Sequence, residues 1–260
     1  RSTLFPYTTL FRSRDEALAL VRQLNDNDPF IYAPALGEIL CNTGNLYISM
    51  GMANQDFSKL KESEQLLNEA LPIHRSLAQR EPERYEQSLF GNLTLLGNLY
   101  QTIGSLTQNE EYLTQSEQAF EETIEIGRRL AEIYPEMYEP HLINTLLSLG
   151  KMYYAHGSQS HDTTYFQKSE KLFIESLETG RRLVQGNPQV FENGLAENLL
   201  LYGNLLRDWG KCDQSGPLFD EGLSLRRRLA IENPAQNELV LAEALCNAAQ
   251  NEAQCGQKQE

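Results

Sequence analysis

Leucine recurs along this chain at positions that share one helical face, and the whole pattern returns at a fixed interval. Pro29, Pro82, Pro135 and Pro188 stand 53 residues apart, and Pro234 follows after 46. Seven residues beyond each proline comes Leu36, Leu89, Leu142, Leu195 or Leu241, and eleven beyond comes Leu40, Leu93, Leu146, Leu199 or Leu245. Eighteen beyond the first four comes Tyr47, Tyr100, Tyr153 or Leu206. At about 100° per residue these positions line one face, which predicts a helix A in each unit. The expected spans are Tyr32 to Met50, Tyr85 to Ile103, Tyr138 to His156 and Phe191 to Trp209, with Pro34 and Pro140 suited to a first turn.

Counting backwards from the next proline gives a second amphipathic segment, helix B. Thirteen before stand Glu16, Glu69, Glu122, Glu175 and Glu221; eleven before, Leu18, Leu71, Ile124, Leu177 and Leu223; five before, Leu24, Leu77, Leu130, Leu183 and Leu229. Glycine punctuates helix A at Gly44, Gly97, Gly150 and Gly203, with Ala249 in the fifth unit, and again at Gly51, Gly104, Gly157, Gly210 and Gly256. The first set lets helix B approach helix A closely. Neither helix pair has a complete core alone, so stability has to come from stacking on neighbours.

The unit resembles the tetratricopeptide repeat in its long-helix bacterial form. Two stretches carry the resemblance: LAEIYPEMYEPHLINTLLSLGKMYYAHG (Leu130 to Gly157) and YEQSLFGNLTLLGNLYQTIG, ending at Gly104. The family's small, large, small pattern on helix B stands as Ser116, Phe120, Thr123, as Ser169, Phe173, Ser176, and as Ser215, Phe219, Gly222. The resemblance runs from about Arg14 to Glu260. It implies an all-α, right-handed superhelical solenoid of antiparallel helix pairs. The units are 29–81, 82–134, 135–187 and 188–233, preceded by a lone helix B at 14–28 and followed by a lone helix A at 234–260.

The chain departs from a plain array in several ways. The string TLFPYTTLFRS (Thr3 to Ser13) resembles the translation of a common sequencing adapter, so residues 1–13 are read as a non-native scar. The periodic pattern begins where that string ends. The three 53-residue units carry seven residues more than the 46-residue one, between helices A and B. Those residues form either a backward extension of helix B or a polar loop, and Leu60, Leu113 and Phe166 at matching places favour the extension. Pro72 falls inside helix B of the first complete unit, where a bend is expected. The fifth helix A has Asn251 and Glu252 in place of the Leu-Tyr pair, which fits either a cap or an array that continues.

Composition narrows the function classes. The net charge is -14, and -16 without the scar's Arg1 and Arg12, which argues against nucleic acid or an anionic membrane as partner. The four cysteines, Cys41, Cys212, Cys246 and Cys255, show neither CxxC spacing nor a disulfide framework, so a reducing, cytoplasmic compartment is expected. No metal or cofactor site is expected. His156, His161 and Asp162 lack a recognised ligand spacing, and His74 and His141 have no nucleophile motif around them. No GxxxxGK[ST] loop is present. The column Arg22, Arg75, Arg128, Arg181 and Arg227 on helix B is expected to be a solvated face supported by turns such as Glu125 to Arg129 and Glu178 to Arg182.

In tetratricopeptide arrays the second face of helix A lines a concave groove, and the resemblance implies that role here. Sixteen residues beyond each proline that face carries Asn45, Asn98, Lys151, Asn204 and Gln250, with Tyr154 and Arg207 beside them. These side-chain amides either bind an extended peptide backbone or are simply solvated. Family members that clamp a C-terminal carboxylate use several basic groove residues; only Lys151 and Arg207 are available here. The expected function is therefore a noncatalytic scaffold binding a peptide segment of a partner protein. The alternative is the repeat portion of a larger enzyme or signalling ATPase whose catalytic domain lies outside this sequence.

Overall fold

A computed structural model of the chain describes residues 5–256, with side chains from 16 onward, so the side chains of the adapter-like stretch lie outside the described residues. Among the described residues the chain is ten α-helices and no strand. They are α1 (Phe5–Asn27), α2 (Pro29–Asn54), α3 (Phe57–Arg80), α4 (Pro82–Thr107), α5 (Glu110–Ile133), α6 (Pro135–Ser160), α7 (Thr163–Gly186), α8 (Pro188–Asp208), α9 (Cys212–Glu232) and α10 (Pro234–Gly256). Even-numbered helices are the A helices of the sequence pattern and odd-numbered ones the B helices.

Each A helix begins at the repeat-marking proline itself, three residues earlier than the Leu periodicity suggests. Pro29, Pro82, Pro135 and Pro188 occupy the first helical turn, where an amide hydrogen would have no partner in the helix. Pro34 and Pro140 therefore lie inside their helices rather than at the entrance. Likewise α3 runs through Pro72 as one helix. Asp28 accepts from the amides of Phe30 and Ile31, Asp56 from Ser58 and Asp162 from Thr164, so acidic caps start α2, α3 and α7.

The seven extra residues are shared between both helices. Helix A has 26 residues in the long units and 21 in the short one, and helix B has 24 against 21. Each long A helix ends at a left-handed residue, Gln55, Gln108 or His161, whereas the short one is followed by Gly210 at φ 82°. Within a repeat, connections this short set helix B antiparallel to helix A.

The chain divides into two compact units, one ending at Ile126 and one starting at Gly127 within α5. In the first, α1 packs on α2, α2 on α3 and α3 on α4; in the second, α6 to α10 pack in the same consecutive order. A helices also meet their A neighbours, α2 with α4, α6 with α8 and α8 with α10.

A three-residue tie closes the A–B pair of each long unit. A Cβ on Gly97 would stand 2.6 Å from the Phe120 ring, and one on Gly150 2.7 Å from Phe173, while Leu67 covers Gly44 in the same way. One turn earlier on helix B, Ser63, Ser116 and Ser169 donate their hydroxyls to the carbonyls of Gly44, Gly97 and Gly150 at 2.7 to 2.8 Å. In the long units Leu60, Leu113 and Phe166 repeat the contact on Gly51, Gly104 and Gly157. The large side chain and the serine both require a bare glycine on the facing helix.

Candidate interaction faces

The second face of the A helices presents the offset-sixteen column. In the first unit Asn45 on α2 and Asn98 on α4 are exposed, and their side chains take part in no hydrogen bond among the described residues. In the second unit Lys151 is on α6, Asn204 on α8 and Gln250 on α10. Asn204 is half-buried, and its Oδ1 is a buried acceptor with no partner.

The groups beside that column are already engaged. Lys151 Nζ lies 2.8 Å from Glu197 Oε1, joining α6 to α8. Tyr154 donates its hydroxyl to Asp208 Oδ2. Arg207 Nε donates to Asp208 Oδ1 at 2.8 Å, and Arg207 Nη1 reaches the Asn247 carbonyl on α10 at 3.5 Å. Burial, reinforced by the neighbouring Asp208 carboxylate, raises the Tyr154 phenol well above its ordinary pKa, so it remains a donor. Both Lys151 and Arg207 thus carry a carboxylate of the chain itself.

On the B helices four arginines of the column, Arg22, Arg75, Arg128 and Arg181, pair across repeats. Arg22 Nε lies 2.9 Å from Glu69 Oε1, Arg75 pairs with Glu122, Arg128 Nε lies 2.8 Å from Glu175 Oε1, and Arg181 Nη2 lies 2.6 Å from Glu221 Oε2. Arg182 pairs with Glu139 on α6 instead of Glu178. The sequence signal was present: both columns are regular, and their separations of 47, 47, 47 and 40 residues follow the repeat length. These pairs are half-exposed, so each contributes about 0–1 kcal/mol.

Two groupings were not legible as such. Cys41, His74 and Asn92, on α2, α3 and α4, meet in the core: Cys41 Sγ lies 3.9 Å from His74 Nδ1 and accepts from Asn92 Nδ2 at 2.9 Å. Burial pushes the Cys41 thiol up to about 11 and lowers His74, and His74 is 2% exposed. A protonated thiol beside a neutral, enclosed imidazole is a packing group, not a nucleophile. Second, Cys212 and Cys255 form a disulfide, with Cα atoms 5.5 Å apart, between the start of α9 and the end of α10. The cysteine spacing gave no sign of that bond.

The residues considered for a metal have structural roles. His161 is the left-handed C-cap of α6, Asp162 caps α7, and the His156 ring lies 4.8 Å from Tyr165. Among the described residues no group of three His, Cys, Asp or Glu side chains is placed to hold an ion. None of the described helices is long and apolar enough to cross a membrane.

Stacked A–B helix pairs with glycine-centred contacts make this a helical-repeat protein. No protein-family model and no curated protein matches the chain. Among solved structures it is similar to BtubC (BKLC) from P. vanneervenii, at 20% identity and a TM-score of 0.62, over 94% of this chain and 82% of that one. A de novo designed helical repeat protein matches at 15% identity and a TM-score of 0.41, over 86% of this chain and 96% of the design.

Proposed function

We propose that the chain is a noncatalytic interaction scaffold of the tetratricopeptide type, which binds an extended segment of a partner protein along the exposed face of its A helices. The observation that carries this reading is the amide column. Asn45 and Asn98 are exposed without side-chain partners, and Asn204 keeps a buried Oδ1 unsatisfied. Asn side chains offer both a donor and an acceptor to the backbone of a bound segment. The B face, by contrast, satisfies its charges through its own Arg–Glu pairs.

Peptides selected from a random display library against the full chain test this reading by nuclear magnetic resonance. The side-chain amide signals of Asn45, Asn98 or Asn204 are expected to shift saturably with peptide. A library that yields no binder, or a binder that leaves all three amides unmoved, contradicts the proposal.

A further inference from the structure

One position on helix B varies widely in size from repeat to repeat. Eight residues before the next proline stand Val21, His74, Gly127, Gly180 and Arg226. In the first repeat the residue is His74, whose ring lies against α2 so tightly that a Cβ on Gly37 would stand 2.4 Å from it. In the third repeat the two sizes are exchanged: Ile143 stands where Gly37 stands, and Gly180 where His74 stands. The exchange does not fill the space. A Cβ on Gly180 would meet only Leu195 and Ile143, at 3.7 and 4.0 Å, and one on Gly194 of α8 would meet nothing within 4 Å.

What remains is a cavity of about 200 Å³ among α6, α7 and α8, within the second unit. Its lining is apolar at Pro140, Ile143, Phe191 and Leu195, and polar at Ser176 and Asn198. Asn198 is 2% exposed. Its Nδ2 donates to Ser176 Oγ at 2.9 Å, and its Oδ1 is buried with no partner. An unmet buried acceptor is costly, and a donor reaching it would recover that cost. The cavity is partly open, and exposed Asn144 and Gly194 stand in its lining.

We propose that this cavity is a binding pocket for a small uncharged aromatic ring bearing one O–H or N–H donor, of the phenol or imidazole class. The volume suits one ring, since a protein cavity on the order of 150 Å³ takes up benzene. Asn198 Oδ1 selects for the donor, and the apolar lining selects against charge. The first repeat shows that an aromatic ring fits the corresponding space, since His74 occupies it.

The test is titration of the full chain with phenol, and with anisole as a ring of similar shape that lacks the donor, followed by amide chemical shifts. Phenol is expected to bind saturably in the millimolar range, with shifts confined to the surroundings of Ser176, Gly180, Gly194 and Asn198, and anisole at least tenfold more weakly. Gly180→Leu, which fills the cavity, should abolish phenol binding. Asn198→Leu, which keeps the shape and removes the acceptor, should bring phenol down to the level of anisole. Absence of saturable shifts, shifts that survive Gly180→Leu, or equal binding of phenol and anisole to the unmodified chain overturns the proposal. Should Asn198→Leu fail to fold, the anisole comparison and Gly180→Leu still decide it.

Discussion

Arg128 and Glu175 lie 47 residues apart in sequence and within 2.8 Å in space, the Arg of one B helix donating to the Glu of the next. Its counterparts Arg22 with Glu69, Arg75 with Glu122 and Arg181 with Glu221 occupy the same two columns. Each pair therefore reports the register of one repeat on the next. The charges are half-exposed, so the pairs align the stack more than they stabilise it. A double-mutant cycle on Arg128→Ala and Glu175→Ala should give a coupling of about 0.5 kcal/mol that shrinks as salt is raised. A coupling of several kcal/mol, unchanged by salt, would show that the ladder holds the stack together.

Glycine substitutions should divide by what faces them. Gly150 lies against the Phe173 ring, so Gly150→Ala forces the ring aside and should cost about 1–3 kcal/mol in chemical denaturation. Gly91 lies inside α4 with nothing within 4 Å of an added Cβ. Gly91→Ala should stabilise by about 1 kcal/mol, the helix-propensity gain. If both changes act in the same direction, the close-approach account of the glycine column is wrong.

Alkaline pH should weaken the first unit through Cys41. Its thiol titrates near 9 when unfolded and is pushed up to about 11 in the fold. The unfolded chain thus loses the proton first, and stability that is full below pH 9 falls as pH rises towards 11. The loss is about 2–3 kcal/mol. A Cys41→Ala variant should lack this slope in denaturation measured from pH 8 to 11; the same slope in both proteins would assign it elsewhere.

Reduction should loosen the last helix. Cys212 and Cys255 close a segment with a sequence separation of 43, and such a crosslink contributes about 2–4 kcal/mol. Dithiothreitol, or Cys255→Ser, should speed hydrogen exchange in α10 while leaving α6 unchanged. Equal exchange with and without reductant would mean that the helix is held by its packing on α8 and α9 without the crosslink.

Most of the repeat architecture was legible because its signals are local and recurrent: Leu36 to Leu40 spacing sets a helix face, and Gly97 marks where helix B approaches helix A, although the sequence did not show that Phe120 is the side chain that meets it. The destination of the seven extra residues was not, because residues added near either side of a turn leave both helical periods intact. The Arg–Glu ladder needed the stacking register, which no single helix contains. Cys41, His74 and Asn92 come from three helices, and Cys212 and Cys255 from the far ends of two, so their meetings appear only once the helices are stacked. The amide column was visible in sequence; that Glu197 and Asp208 hold Lys151 and Tyr154 was not, since the carboxylates stand on α8 and their partners on α6.

The most direct measurement of the binding claim is calorimetric titration of one selected peptide into three proteins: the unmodified chain, Asn98→Ala with Asn204→Ala, and Arg128→Ala with Arg181→Ala. Truncating an amide buried on binding costs about 1–3 kcal/mol. The asparagine pair should therefore weaken binding at least tenfold, and the arginine pair on the B face should leave it unchanged. Loss of binding in the arginine variant with full affinity in the asparagine variant would place the working surface on the B helices and contradict the account.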